Sequence, residues 1–235
     1  MKFRYETHLH TSISSRCSRF TAEEIVRHYL ENGYSGVFVT DHFLNGNTTV
    51  HEKVPESAGY RERIDAYLEG YRAVKRAAEG TELDVFLGIE YSYYGSDILV
   101  YGFSEEELFS MEDILGMQPN DFCDYCRARG YIAIQAHPFR TAAYIPHIRI
   151  FDRVEGIEIF NACRTESENT LARFYAQETG KIPFGGSDAH RSNLTRLSGV
   201  ALDEKVKDEA HFVELLRQGS HEIVCRENVY TETKI

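Results

Sequence analysis

The feature that most constrains this chain is a series of short apolar runs, each closing on a polar residue or a turn and many followed by a helix-like segment. The runs are Phe3 to His8, Gly36 to His42, Val85 to Glu90, Ile98 to Phe103, Ile132 to His137, Ile157 to Asn161, Ile182 to Asp188 and Val200 to Leu202. Apolar runs of that length suit buried strands, and strands alternating with helices make an α/β protein. The helices are marked by their ends. Thr21 with Glu24 forms a capping box and Gly33 a stop, which predicts a helix from about Ala22 to Asn32. Apolar residues at helical spacing predict a second over Tyr60 to Glu79, and others fit Pro119 to Arg129, Glu166 to Thr179 and Asp208 to Gln218. Leu44 to Gly59 is expected to be a loop beside the site. No linker or repeat divides the 235 residues, so one domain over 1–235 is expected.

In parallel β/α folds the carboxyl ends of neighbouring strands converge on one face, where distant residues assemble. Here those ends carry His8 and His10, Asp41 and His42, Glu90, His137, Asn161, and then Asp188 and His190. His8-Leu9-His10 sets two imidazoles on one side of a strand, because side chains alternate with period two. Glu90 closes an apolar strand, where an unpaired carboxylate costs several kcal/mol to bury and a shared metal ion relieves that cost. Asp188 and His190 repeat the spacing after Gly185-Gly186, whose missing side chains permit close approach. His137 precedes Pro138, which predicts extended backbone at the histidine. Asp41 is a candidate acceptor to orient an imidazole. Imidazoles with carboxylates suit zinc, manganese or iron.

Charge narrows the partners. With 26 lysines and arginines against 37 aspartates and glutamates, the formal net charge is -11. That balance repels polyanions, which argues against a broad nucleic-acid face and favours a small substrate. No apolar run approaches a membrane span and Met1 to Glu6 lacks the character of a signal peptide, so a soluble cytoplasmic protein is expected. The five cysteines are odd in number and are expected to be reduced. Cys123 and Cys126 have metal-like spacing, but they fall within a predicted helix and lack a second pair.

His8-Leu9-His10, Thr40-Asp41-His42, Gly88-Ile89-Glu90, Ala136-His137-Pro138 and Gly186-Ser187-Asp188-Ala189-His190, in that order, resemble the motifs of the PHP family, named for polymerase and histidinol phosphatase. The resemblance spans most of the chain. It implies a distorted seven-stranded (β/α)7 barrel related to the TIM barrel, with a two- or three-metal site and phosphoesterase activity. Carried over by residue, His8, His10, Glu90 and Asp188 are the implied ligands of one metal, with Glu90 bridging to a second that His137 also holds. His42 and His190 are the implied ligands of a third. Catalysis is expected of Glu90, Asp188 and His190. Two positions depart from the family pattern. Asp97 stands where a histidine is common and is a substitute oxygen ligand. Cys17 is the soft donor in the segment Thr11 to Arg19, as a ligand or as an ordinary thiol.

The chemistry so implied is hydrolysis of a phosphate ester by metal-activated water. Arg140, Arg164 and Arg191 lie near the motifs and are candidates to hold phosphoryl oxygens, or else to form structural ion pairs. Two other readings compete: an amidohydrolase-type metal hydrolase, and a metal-stapled scaffold without activity.

Overall fold

The computed structural model of the chain describes residues 2–55 and 57–227. The domain expected over 1–235 therefore includes residue 1, Glu56 and the residues after 227, which lie outside the described residues. In chain order the elements are β1 (Phe3–Leu9), α1 (Ala22–Glu31), β2 (Gly36–Val39), α2 (Val50–Lys53), α3 (Tyr60–Tyr67), α4 (Glu69–Ala77), β3 (Asp84–Leu87), β4 (Ile89–Tyr93) and β5 (Ser96–Tyr101). Then follow α5 (Glu105–Leu108), α6 (Pro119–Ala128), β6 (Ile132–Ala136), β7 (Gly156–Asn161), α7 (Glu166–Thr179), β8 (Ile182–Gly186), β9 (Arg196–Leu202), α8 (Glu209–Arg217) and β10 (His221–Glu227). They form a mixed α/β fold with two five-stranded sheets, ordered β10-β9-β1-β2-β3 and β4-β5-β6-β7-β8. Isolated bridges pair Leu9 with Ala189 and His42 with Glu90, joining the sheets at the end where the site lies.

The sheets depart from a simple parallel pattern in one informative place. The apolar run expected over Val85 to Glu90 breaks at Gly88, so that β3 pairs with β2 and β4 with β5. A Cβ at Gly88 would stand 2.9 Å from Thr40 Cγ2 and 3.1 Å from the Tyr101 ring, so a bare backbone is needed there. β5 then runs antiparallel to both neighbours. Its first residues consequently lie among the carboxyl ends of the other strands, which brings Asp97 to the site.

The helix expected over Tyr60 to Glu79 is two helices, α3 and α4. The Ser14 hydroxyl donates to the Tyr67 carbonyl (2.7 Å) and accepts from the Gly70 N–H (3.1 Å), occupying the helix ladder at the break. The capping box of α1 is present as expected, with Gly33 at φ 69° beyond its end. The Leu44 to Gly59 loop contains the short α2. β10 has no counterpart among the expected strands.

Beneath the site is an apolar floor to which both sheets contribute. Tyr5, Phe38, Phe86, Leu99, Tyr101, Ile134 and Phe184 pack with Phe212 and Leu216 of α8. Phe38 and Phe212 pack as tilted rings with centroids 4.1 Å apart, and the Tyr101 hydroxyl donates to the Thr7 carbonyl. The floor fixes β1 and β5 below the point where their polar residues begin.

Gly199 of β9 tests how tightly β1 is held. It has φ 138°, and a Cβ there would collide with the Tyr5 carbonyl. Gly199→Ala is expected to destabilise the fold by about 2–4 kcal/mol through left-handed strain and separation of β9 from β1. A urea unfolding series would check this, and an unchanged midpoint would show that the strand pair relaxes freely.

Candidate metal centre

Around Glu90, buried in β4, the polar strand ends meet. Its Oε1 lies 3.2 Å from His8 Nε2 and 3.4 Å from His137 Nε2. Its Oε2 lies 2.5 Å from His42 Nδ1 and 3.6 Å from His10 Nε2. Neither Glu90 oxygen has an aligned hydrogen-bond donor, and these nitrogens likewise lack partners. Burial alone would raise the Glu90 carboxyl, yet the imidazoles of His42 and His8 hold it well below its usual range.

Asp188 closes the other side, with Oδ1 3.5 Å from His10 Nε2 and 3.6 Å from His8 Nε2. His8, His10 and Asp188 form one close group of potential ligands, His8, Glu90 and His137 a second, and His10, His42 and His190 a third. Buried polar atoms are normally satisfied, and orphaned ones cost on the order of 1–3 kcal/mol each. A converging set of orphaned imidazole nitrogens and carboxylate oxygens is what divalent cations satisfy, so these residues fit such ions.

Two of these side chains sit on left-handed backbone. His137 has φ 27° and Asp188 φ 56°, conformations that cost roughly 1–2 kcal/mol outside glycine. The extended geometry expected before Pro138 is thus corrected. His137 is turned because its N–H donates to Glu158 Oε2 (2.8 Å) and its carbonyl accepts from Arg140 N (2.9 Å). Gly186 allows the close approach expected of it, since a Cβ would lie 2.5 Å from His8 Cβ and 2.6 Å from Glu158 Oε1.

Glu158 and Glu6 are the polar residues that sequence reasoning missed. Glu158, buried in β7, pairs with His8 Nδ1 at 2.9 Å and also accepts from Asn161 Nδ2 at 2.9 Å. That contact assigns the proton to Nδ1 and turns Nε2 toward Glu90. Glu6 lies where the register of β1 against β2 shifts. It accepts from the N–H groups of Thr7 (2.9 Å), His8 (2.8 Å) and Ser187 (2.9 Å) and from Tyr29 O–H (2.8 Å), tying β1 to the end of β8. The available signal was the one that singled out Glu90, a carboxylate inside an apolar strand.

Asp41 acts less directly than expected. It accepts from Thr11 N (2.7 Å) and Ser15 Oγ (2.6 Å), and Ser15 Oγ in turn lies 3.2 Å from His10 Nδ1. Burial pushes its carboxyl up to about 6 despite the Ser15 and Thr11 contacts. Asp97 reaches the edge of the site, 3.8 Å from His137 Nε2, but its carboxylate engages Arg140 at 3.1 Å and it falls outside the three close groups. Cys17 Sγ lies 3.2 Å from His42 Nε2 and 3.1 Å from His190 Nε2. Burial opposes its ionisation, but hydrogen bonds from His190 and His42 bring the thiol down to about 6.

The metal-like pair Cys123 and Cys126 is buried in α6, and burial pushes the Cys123 thiol up to about 12.

A cavity of about 580 Å³ opens over these residues, lined among others by Cys17, His42, Asp97, Arg140, Arg164, Asp188 and His190, with Tyr94 and Tyr144 at its rim. Arg140 is fixed by the Gly95 carbonyl at 2.9 Å as well as by Asp97, and Arg164 stands 3.4 Å from Asp188 Oδ2. Arg191 is exposed and outside this lining, which corrects its expected place at the site. Asn45, Gly46 and Asn47 confirm the expected loop beside the site.

A family model described as PHP-associated matches residues 166–220, which include Asp188 and His190. No curated protein sequence matches the chain. Among solved structures, 95% of the chain superposes, at a TM-score of 0.67 and 13% identity, on a two-domain protein of Bacteroides vulgatus containing a predicted PHP-like metal-dependent phosphoesterase. It matches the lesion-specific endonuclease EndoQ of Pyrococcus furiosus over 95% of its length, at 0.61 and 13%, and PsfC of Pseudomonas syringae over 91%, at 0.58 and 15%. The chain spans 65% of the Bacteroides protein, 58% of the endonuclease and 88% of PsfC. At these identities the likeness is one of fold.

Glu158 provides a test of how the centre is held. Glu158→Gln keeps the shape but weakens the grip on His8 Nδ1, and metal affinity is expected to fall by roughly 10- to 100-fold. Competition with a chromophoric chelator measures this, and unchanged affinity would reduce Glu158 to a packing role.

Proposed function

We propose, from a fold shared with a protein containing a predicted PHP-like phosphoesterase and from the PHP-associated segment, that the chain is a metal-dependent phosphoesterase acting on a small phosphorylated substrate. The observation that carries this reading is Glu90, a buried carboxylate with both oxygens facing orphaned imidazoles. We assign His8, His10, Asp188 and Glu90 to one ion and His137 with Glu90 to a second, with zinc, manganese or iron as the candidates. The two sheets are read as one distorted ring of seven strands within a single domain, counting β3 and β4 as one bent strand and leaving β9 and β10 outside the ring. The Leu9–Ala189 and His42–Glu90 bridges support that reading.

Two divalent ions bound there supply a water of lowered pKa and neutralise charge on phosphoryl oxygens. The protein's own contribution is positioning. Glu90 and Asp188 serve catalysis by keeping the ions in place, His190 does so by bracing Asp188 through the contact of its Nδ1 with the Asp188 carbonyl, and Glu158 keeps His8 aimed. Arg140, held by Asp97 and Gly95, presents a preset cation on the cavity wall. Arg164 is a quarter exposed and has an orphaned Nε, so it can hold a phosphoryl oxygen from the other side. A cavity of about 580 Å³ suits a small molecule.

A panel of p-nitrophenyl phosphate, bis(p-nitrophenyl) phosphate, amides and lactones with added Mn²⁺ or Zn²⁺ tests the reading. Phosphate-ester turnover abolished by chelation is expected, while turnover of amides or lactones alone would favour the amidohydrolase reading. Glu90→Gln should lower turnover by at least about a hundredfold, because its anion serves both ions. Arg140→Ala and Arg164→Ala should each cost roughly 10- to 150-fold in kcat/KM while metal content stays intact. Normal turnover in both arginine variants would refute the clamp.

A further inference from the structure

We propose that the substrate carries a planar aromatic ring close to its phosphoryl group, and that Tyr94 and Tyr144 at the mouth of the cavity hold that ring by stacking. This rests on the phosphoesterase reading above and adds to it the class of molecule to which the phosphate is attached. Tyr94 is 77% exposed and Tyr144 71%, the two highest values among the exposed large hydrophobic side chains of the described residues. Both line the cavity that contains Arg140 and Arg164. Apolar ring surface held in water at the edge of a polar pocket is surface that a flat ligand can cover.

The rings are placed by a built arrangement. Tyr94 occupies the two-residue turn between β4 and β5 at φ 49°, followed by Gly95 at φ 81°. Asparagine and glycine take such backbone easily, whereas a bulky side chain there is an outlier. Two arginines fix the turn: Arg149 Nη1 donates to the Tyr94 carbonyl (3.1 Å) and Arg140 Nη2 to the Gly95 carbonyl (2.9 Å). The same arginines lie over the rings, Arg149 5.9 Å from the Tyr94 centroid and Arg140 5.8 Å from that of Tyr144. The segment carrying Tyr144 abuts the turn, since a Cβ at Gly95 would stand 3.2 Å from Ile145 Cγ1 and 4.0 Å from Tyr144 Cε2. Arg140 thus connects the phosphoryl position to both rings. A phosphoryl group on Arg140 and a ring against Tyr144 are adjacent parts of one small molecule. On hydrolysis, water adds its oxygen to phosphorus as the ester P–O bond breaks and one of its protons passes to the departing oxygen. The ring leaves on the alcohol and inorganic phosphate remains.

Matched phosphate monoesters, assayed with added Mn²⁺, test this: benzyl phosphate against cyclohexylmethyl phosphate, and adenosine 5′-monophosphate against ribose 5-phosphate. Within each pair the leaving alcohols are of one kind, so a difference reports the ring. In wild type, kcat/KM of the aromatic member of at least one pair is expected to be higher by about 5- to 150-fold, the range of ring stacking. Tyr94→Asn, which suits the turn, and Tyr144→Ala should each lower that ratio by at least about twofold. The double variant should bring it near one, whereas Tyr94→Phe and Tyr144→Phe keep it. A preference that includes the benzyl pair makes any planar ring sufficient, and one confined to the adenosine pair identifies a nucleobase. Equal kcat/KM within both pairs, or a preference untouched in the double variant, overturns the proposal and leaves the phosphoesterase reading standing. Absence of turnover of all four esters by metal-loaded wild type overturns both. If the double variant does not fold, competition in wild type decides. Benzylphosphonate should then inhibit at least about fivefold more tightly than cyclohexylmethylphosphonate, and equal inhibition overturns the assignment.

Discussion

The structure depends on the placement of one charge. Glu90 is buried, its two oxygens have no aligned donors, and four imidazoles stand within 3.6 Å of it. An uncompensated carboxylate in such a place costs several kcal/mol even after the surroundings relax. Protonated imidazoles compensate only in part, because His10 lies against His42 and His190, and burial together with those neighbours holds it well below its usual range. The arrangement therefore fits cations at the points where the lone pairs converge. Stability and the capacity for chemistry at this site have the same origin.

Such a cluster must be braced against its own repulsion, and the fold does this from two directions. Below, the aromatic floor of Tyr5, Phe38, Tyr101, Phe184 and Phe212 joins both sheets and limits how far β1, β2, β5 and β8 can separate. Behind the ligands, Glu6 and Glu158 use their oxygens on backbone N–H groups and on His8, converting strand ends into fixed positions. The left-handed backbone at His137 and Asp188 is tolerated because these hydrogen bonds over-determine it. Rigid ligands on strand ends around a packed floor lose little entropy on binding an ion.

Much of this was legible from local chemistry. Polar residues closing apolar runs identify His8, His10, His42, Glu90, His137, Asp188 and His190, and the structure gathers all of them. What was not legible depends on geometry that no local pattern encodes. The reversal of β5 follows from the two-residue turn at Tyr94 and Gly95, both at positive φ, and without it Asp97 has no reason to stand at this end. Glu6 and Glu158 carry the same signal as Glu90, a carboxylate inside an apolar strand, but what they hold follows only from the register shifts of β1 and β7. The break between α3 and α4 arises from Ser14, a residue some fifty positions away, so the unbroken apolar spacing over Tyr60 to Glu79 could not disclose it. For Arg191, adjacency to His190 along the chain does not place its side chain in the cavity.

Charge distribution links the site to its substrate class. The chain carries a net charge of -11, yet the cavity presents Arg140 and Arg164 beside the ligand cluster. A long polyanion would meet the acidic exterior along much of its length, and its association would weaken accordingly. A small anion in the cavity would experience mainly the local field of the two guanidinium groups, because distant carboxylates are screened by salt beyond about 8–10 Å. Asp97 is the link between the two scales. By pairing with Arg140 it neutralises part of that cation's charge, but it also fixes the guanidinium against the cavity wall, so the geometry proposed for phosphate would be set before substrate arrives. On the function proposed above, the acidic exterior and the arginine-lined cavity act together in favour of compact anions over extended ones.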